Sequence, residues 1–297
     1  MDKKVFSCLA VLFLFGSLLV SASFAESYRY VAQWGSRGTG NGQFNPMVGI
    51  AVTGSNVYVV DTGNNRIQVF DLTGRYVRQW GGAGSGAGQF DHPTDVAVGP
   101  SGVYVTDDGN ARVQQFTFNG VYVREWRVPG AASIAADTFG NVYVSAGAYV
   151  FKFTAGGQPT ATRWGGTGTR DGQFAASPVL AVDRSGNVYA SDTGNNRIQK
   201  FSRTGEHLLT IRPKGENQFD HPYGIAVDAS NNVFVADGDN KRIQKHSPSG
   251  DVIKWGEAGS GAGQFGTPLR VAVDSSGNVY VVDSGTNQRV QKFRKTD

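Results

Sequence analysis

The feature that most limits what this chain can fold into is an internal repeat of about 45 residues. Four copies of the pattern W-G-x-x-G-x-x-x-G-Q-F occur, and a fifth stretch, R-P-K-G-E-N-Q-F, keeps only its end. The double gap between the second and third copies indicates one unit that has lost its closing Phe, so we count six units. The phenylalanines that close the pattern are Phe44, Phe90, Phe174, Phe219 and Phe265.

Each unit contains four short segments in which apolar and polar residues alternate, which is typical of β-strands. In the first unit they are G-I-A-V (49–52), V-Y-V-V-D (57–61), R-I-Q-V-F (66–70) and Y-V-R-Q-W (76–80). The stretches between them are rich in Gly, Asn and Asp, as tight hairpins require. Four antiparallel strands in a unit of this length predict one blade of a β-propeller.

The two ends of the chain predict how the ring closes. The sixth unit stops after its third strand (289–293), whereas residues 28–34 form an extra strand before the first unit. We therefore predict an all-β, six-bladed propeller in which the N-terminal strand completes the last blade. The predicted units are about 35–80, 81–126, 127–164, 165–211, 212–255 and 256–297, with 28–34 as the closing strand.

Residues 1–25 have the pattern of a cleavable secretory signal peptide. A short basic start precedes the mostly apolar run 5–20, and Ser23 and Ala25 occupy the small positions of a cleavage site. A retained membrane anchor is the alternative, although the run is short for a spanning helix. We expect a secreted or cell-envelope protein cut near Ala25. Its single cysteine, Cys8, would be removed with the signal, so no disulfide or thiolate chemistry is expected.

Asp and Arg recur on either side of the hairpin between the second and third strands. The eight letters D-T-G-N-N-R-I-Q stand at both 61–68 and 192–199. The two charges would face each other across the hairpin, which predicts a structural pair rather than a binding site for an acidic partner. The predicted pairs are Asp61 with Arg66, Asp107 with Arg112, Asp192 with Arg197, Asp237 with Arg242, and Asp283 with Arg289. In unit 3, Ser145 and Tyr149 replace both members together.

The run G-Q-F … G-I-A-V … V-Y-V-V-D-T-G-N-N-R-I-Q-V-F resembles the NHL repeat over roughly residues 28–297. The resemblance implies a six-bladed propeller of a family that includes a peptide-amidating lyase, RNA-binding ring-finger proteins, bacterial sensor domains and surface proteins. The lyase binds zinc through histidines at the start of innermost strands, and none of the matching positions here is His, so that metal site is not implied. The matching positions are Val48, Thr94, Ala132, Pro178, Tyr223 and Leu269.

Other patterns favour turns rather than chemistry. The glycine-rich loops lead into strands, not helices, and so lack the helix N-terminus that a phosphate loop requires. His92 and His221 share the slot D-H-P and are too few for a zinc site. The stretch D-G-D-N (237–240) lacks the late carboxylate of a calcium loop. We expect no metal and no cofactor.

The mouth of the central channel is the best place for a ligand. The residues expected to line it are Met47, Thr94, Asp95, Tyr223 and Arg270. We predict a non-catalytic, monomeric module that binds a protein or another surface polymer through loops on one face. The alternative is an enzyme of the lyase, lactonase or metal-dependent hydrolase kind with its site in the channel. A nucleic-acid partner is not expected at a net charge of +4, and neither is membrane contact beyond the signal.

Overall fold

A computed structural model of the chain describes residues 26–296, and these form six antiparallel sheets of four strands. From the channel outward, the first strands are Ile50–Val52, Pro93–Gly99, Ala131–Ala136, Val179–Val182, Pro222–Val227 and Thr267–Val273. The second strands are Asn56–Asp61, Gly102–Asp107, Asn141–Ala146, Val188–Asp192, Val233–Asp237 and Val279–Ser284. The third strands are Arg66–Asp71, Arg112–Phe116, Tyr149–Thr154, Arg197–Phe201, Arg242–His246 and Arg289–Thr296. The fourth strands are Tyr76–Gly81, Tyr122–Arg127, Pro159–Gly165, His207–Ile211, Val252–Trp255 and Ser27–Trp34.

The six-bladed propeller predicted from the repeat is confirmed, and so is its closure. Ser27–Trp34 pairs in antiparallel fashion with Arg289–Thr296 and completes blade 6. Tyr28 of this strand stacks on Trp255 of blade 5, with ring centroids 4.3 Å apart. The N-terminal strand therefore joins the last blade both by its backbone and by its side chains.

The ring has two faces that differ in their loops. The upper face carries the hairpins between second and third strands and the glycine-rich loops that lead into the next blade. Two of those loops contain short parallel pairs, Ser36–Arg37 with Gln43–Phe44 and Glu257–Ala258 with Gln264–Phe265. The lower face carries the hairpins between first and second and between third and fourth strands. The helical segments of the described residues are single 3₁₀ turns at Thr62–Asn64, Asp108–Asn110, Thr193–Asn195 and Gly215–Asn217.

The core lies between blades rather than within one central nucleus. Second strands such as Asn56–Asp61 are buried along almost their whole length, because a neighbouring blade covers each face of the sheet. Val59 and Phe70 of blade 1, for example, share a buried cluster with Tyr280 and Val282 of blade 6. None of the helical segments in the described part of the chain is long and apolar enough to cross a membrane.

A tryptophan fills the outer part of most seams between blades. Trp164, at the end of the fourth strand of blade 3, lies 5.7 Å from Phe201 of blade 4, measured between ring centroids, and its ring covers Gly205. Any Cβ at Gly205 would approach that ring to 2.8 Å, so the close contact requires glycine. Trp34, Trp80 and Trp126 make the same pair of contacts. At the seam between blades 4 and 5, Ile211 stands in place of the tryptophan.

Candidate functional site

In five of the six blades, the Asp at the upper-face hairpin is a hub of hydrogen bonds. In blade 1, Asp61 is fully buried, and its Oδ2 accepts from Arg66 Nε at 2.7 Å and from Gln68 Nε2 at 3.0 Å. Asn64 Nδ2 also donates to it, and Oδ1 accepts from the backbone N–H of Asn45 at 2.9 Å. The carboxylate therefore joins the hairpin of its own blade to the glycine-rich loop that precedes the blade.

The guanidinium group of each Arg in these hubs donates its hydrogen bonds to groups within the protein. Arg66 Nη2 donates to the carbonyl oxygens of Gly40 and Gln43 at 2.7 and 3.0 Å, and Nη1 donates to Gln79. The five arginine side chains are only 2–16 % exposed. An acidic partner cannot reach donors that are already bound and buried. The structure pairs the remaining four as well: Asp107 with Arg112, Asp192 with Arg197, Asp237 with Arg242, and Asp283 with Arg289.

Blade 3 lacks both the hub and the loop that the hub would hold. Only Val128–Gly130 separate its first strand from blade 2, in place of a glycine-rich loop. The strand register also corrects the alignment made from sequence. Ser145 was assigned to the Asp position, but its hydroxyl accepts from Ser133 N as that of Thr106 does from Asp95 N. Ala146, which pairs with Tyr149, occupies the Asp position.

Asp95 and Arg270 lie at equivalent positions of the first strands of blades 2 and 6 and face the central channel. A β-bulge precedes each of them, at Thr94 and Leu269, and shifts the pairing by one residue. Such a bulge re-aims the side chains that follow it. Glycines at the matching positions of blades 1 and 5 leave space for the two side chains, because a Cβ at Gly49 would approach Asp95 Oδ1 to 2.9 Å.

The Asp95 carboxylate has hydrogen-bond partners for both of its oxygens. Asp95 Oδ2 accepts from Ser133 Oγ at 2.6 Å and from the backbone N–H of Ile134 at 3.3 Å, and Oδ1 accepts from Val96 N at 3.0 Å. Ser133 Oγ in turn accepts from Leu180 N at 3.1 Å. Burial raises the pKa of the Asp95 carboxyl, and the nearby Arg270 guanidinium opposes that rise. This arrangement links blades 2, 3 and 4 around the channel.

Arg270 is the less satisfied member of the channel pair. Its Nη1 donates to the carbonyl oxygen of Leu269 at 3.1 Å and weakly to that of Tyr223 at 3.5 Å, while its buried Nε has no partner among the described residues. Burial lowers the pKa of Arg270, and the field of Asp95 opposes this effect. The channel thus contains a carboxylate from blade 2 and a guanidinium from blade 6, on either side of blade 1.

The other three residues predicted for the channel mouth make different contacts. The prediction for Met47 is wrong, because its side chain is fully buried in the cluster between blades 6 and 1. Thr94 is half-buried and bonds to the hydroxyl of Thr106 at 2.8 Å. Tyr223 lies over Gly238 in the hairpin of its own blade, where a Cβ would come within 2.1 Å of the ring. Of the predicted set, Asp95 and Arg270 are the two whose charges influence each other's pKa.

One cluster on the upper face was not predicted. His221 Nδ1 lies 2.9 Å from a carboxylate oxygen of Asp220 and 2.9 Å from one of Asp239. All three residues are exposed, and the atoms are close enough to hold a metal ion. Among residues 26–296, His92 in the same D-H-P slot of blade 2 pairs with the single carboxylate of Asp91, at 2.7 Å. Two strands and the hairpin between them separate Asp239 from His221 in the sequence, so spacing alone gave no signal of this cluster.

The D-H-P slots also have a backbone role. His92 and His221 adopt positive φ angles of 51° and 49°, which are uncommon for residues other than glycine. Each backbone N–H donates at 2.9 Å to an asparagine side chain, Asn65 or Asn196, in the hairpin of the preceding blade. These turns therefore fix neighbouring blades to each other on the upper face.

The lower face carries large apolar side chains that the sequence analysis did not single out. Phe118 and Val121 on a hairpin of blade 2 are 46 % and 63 % exposed, and Phe139 on a hairpin of blade 3 is 60 % exposed. The Arg203 guanidinium of blade 4 lies 5.7 Å from the Phe139 ring. We call Phe118, Val121 and Phe139 the lower-face patch.

Two family models match the chain. One is described as a 6-bladed beta-propeller and matches residues 24–162, and the other is the NHL repeat, which matches 180–201, 219–245 and 265–293. The chain contains NHL repeats and folds as a six-bladed propeller. The two models match different halves, which agrees with the degenerate third unit lying in the first half. A search of curated proteins found no match to this NHL-repeat chain.

Several solved structures share the fold at low sequence identity. A structural genomics protein of unknown function from Bacteroides thetaiotaomicron is 17 % identical, with a TM-score of 0.70 over 91 % of this chain and 76 % of that one. A streptogramin B lyase is 14 % identical, with a TM-score of 0.64 over 91 % and 98 %. An auxiliary nutrient binding protein from Bacteroides thetaiotaomicron is 14 % identical, with a TM-score of 0.62 over 86 % and 70 %. At these identities the likeness establishes the fold alone.

Proposed function

We propose that this NHL-repeat propeller is a non-catalytic binding module that holds a protein partner on its lower face. The observation that carries the proposal is the lower-face patch, in which three large apolar side chains on adjacent blades are about half exposed or more. Large exposed apolar side chains concentrated on one face of a protein favour an interaction surface there. Arg203, which lies beside Phe139, favours a partner segment that combines apolar and acidic residues.

The contrast between the two faces supports the choice of the lower one. Loops of the upper face repeat nearly the same sequence from blade to blade, and their polar side chains are engaged in the Asp hubs. Hairpins of the lower face differ in sequence, as D-L-T-G (71–74), T-F-N-G (117–120) and S-R-T-G (202–205) illustrate. A rigid ring that presents variable hairpins is well suited to recognition.

The enzyme alternative places chemistry in the channel. Among residues 26–296, Asp95 is engaged with Ser133 and backbone N–H groups, and the cluster of possible metal ligands lies on the upper face. These facts favour binding over catalysis. The enzyme alternative is supported by the structural likeness to a streptogramin B lyase.

Panning of a phage-displayed peptide library against the purified protein tests the proposal. We expect selected peptides to combine apolar and acidic residues and to bind the double variant Phe118→Ser/Phe139→Ser at least about tenfold more weakly. Tyr149→Ser on the upper face is the matched control, since Tyr149 is also exposed, and it should bind as the wild type does. Peptides that bind the double variant equally well would contradict the assignment. Turnover of a lactone or ester panel that Asp95→Asn abolishes would instead establish the enzyme.

We also propose that the protein is exported and loses its signal. Residues 1–25 lie outside the described residues, so the proposal rests on their sequence pattern. The mature chain would begin at Glu26, which immediately precedes the closing strand. The Glu26 carboxylate forms ion pairs with Lys245 and Lys295. N-terminal sequencing of secreted material should read Glu26 first, whereas an intact Met1 would favour a retained anchor.

A further inference from the structure

The seam between blades 4 and 5 departs from the others at two facing positions. Ile211 replaces the tryptophan that ends the fourth strand, and His246 replaces the phenylalanine that ends the third strand of the next blade. At the other five seams those two positions hold a Trp and a Phe whose ring centroids are 5.7–6.0 Å apart. Gly250 keeps the glycine that would lie under the missing indole, and no atom comes within 4 Å of a Cβ built there.

The departure leaves a cavity of about 270 Å³ at the lower face. Its walls are mostly apolar and come from both blades: Tyr189, Leu209, Ile211, Val233 and Pro248, with His246 at the inner end of the hairpin. The volume exceeds the roughly 150 Å³ of an engineered apolar cavity that binds benzene. The cavity therefore has room for an aromatic ring.

One buried side-chain nitrogen in the cavity wall has no hydrogen-bond partner among the described residues. Lys200 lies 3.3 Å from Asp183 and 4.8 Å from the Tyr189 ring centroid, so its charge is already balanced. His246 is 7 % exposed, and its Nε2 has no hydrogen-bond partner among residues 26–296. Burial lowers the pKa of His246 to about 4, so the imidazole is neutral at neutral pH.

The molecule itself shows what fits such a slot. Five equivalent seams are each filled by an indole, and in each case the indole Nε1 has no partner in the described chain. The vacant slot keeps the glycine floor and the seam geometry, and it adds an imidazole nitrogen where the others have a phenyl ring. We propose that the cavity between blades 4 and 5 is a binding site for a small aromatic molecule of indole size.

Titration of the purified protein with indole, followed by isothermal calorimetry, tests this inference. We expect one saturable site with a dissociation constant on the order of 1 mM or tighter, as suits a ligand of about nine heavy atoms. Ile211→Trp should weaken binding at least about tenfold, because the new side chain fills the slot as Trp164 does. The matched control Leu208→Trp adds the same ring at an exposed neighbouring position and should bind indole as the wild type does.

A second measurement keeps the inference testable if Ile211→Trp does not fold. Indole should shift the NMR signals of the His246 ring by its ring current, while the signals of His92, on the upper face, should not move. Absence of saturable binding, or equal binding by folded Ile211→Trp, would overturn the inference, and so would an unshifted His246. The inference does not depend on the proposed protein partner, since the lower-face patch lies on blades 2 and 3.

Discussion

Blades 1 and 3 differ in the loop that precedes the blade and in the hairpin between its second and third strands. Blade 1 has a glycine-rich loop before it, and Asp61, Arg66 and Gln68 bind that loop. Blade 3 has a three-residue connection, and Ala146 and Tyr149 stand where the charged pair would be. The charges and the loop are present together or missing together. The comparison teaches that the repeated hairpin string serves to hold the loop rather than to bind a partner.

The largest effect should follow from removal of one hub carboxylate. Asp192→Ala installs the residue that blade 3 has, but it leaves the buried Arg197 with only the exposed Asp171, 3.4 Å away, as a counter-charge. We expect a loss of about 3–5 kcal/mol in the free energy of unfolding, measured by urea denaturation. Ser145→Ala is the control in blade 3, where one hydrogen bond is lost at a cost of about 1 kcal/mol. Equal losses of stability in the two variants would contradict the view that the Asp stabilises only those blades that have the loop.

A double-mutant cycle on Asp61 and Arg66 should show a smaller but diagnostic effect. Asp61→Ala and Arg66→Tyr should each destabilise the protein, and the double variant should lose less than the sum, with a coupling energy of about 1–3 kcal/mol. Recovery should be partial, because the carbonyl groups of Gly40 and Gln43 still lose their donors. Coupling near zero would mean that the two residues act independently, as functional residues can.

The smallest effect should come from building the pair where the loop is missing. Ala146→Asp/Tyr149→Arg restores both charges in blade 3 at a half-exposed site. Without loop carbonyls to bind, the new pair should behave as a surface ion pair and change stability by less than about 1 kcal/mol. Thermal unfolding of this variant beside the wild type measures it. A gain comparable to the loss in Asp192→Ala would show that the pair stabilises a blade without the loop.

Nearly all of the fold could be predicted from the sequence, because the repeat unit that forms a blade occurs six times. Blade number, strand number and closure by residues 28–34 follow from counting, and the Asp–Arg pairs follow from their position across a hairpin. Counting failed where the register is irregular. The bulges at Thr94 and Leu269 alter which side chains face the channel, and the shortened hairpin of blade 3 shifted the alignment of Ser145 by one residue.

Sites that depend on contacts between repeat units could not be predicted from the sequence. The burial of Met47 depends on the packing of blade 6 against blade 1, and the approach of Asp239 to His221 depends on a loop conformation. Ile211 was visible as a missing tryptophan, yet the cavity appears only when His246 and Gly250 are placed across the seam from it. Local patterns specify blades, whereas the candidate sites arise between them.

Closure of the ring has a mechanical consequence. Ser27 and Thr296 are direct partners in the outermost ladder of blade 6, although 269 positions separate them in the chain. The hydrogen bonds of an antiparallel pair lie perpendicular to its strands. A pulling force applied at residues 27 and 296 would therefore load these bonds one after another and unzip the ladder from its end. The same ring that resists fraying at rest would open readily under tension at that one blade, with the other five still folded.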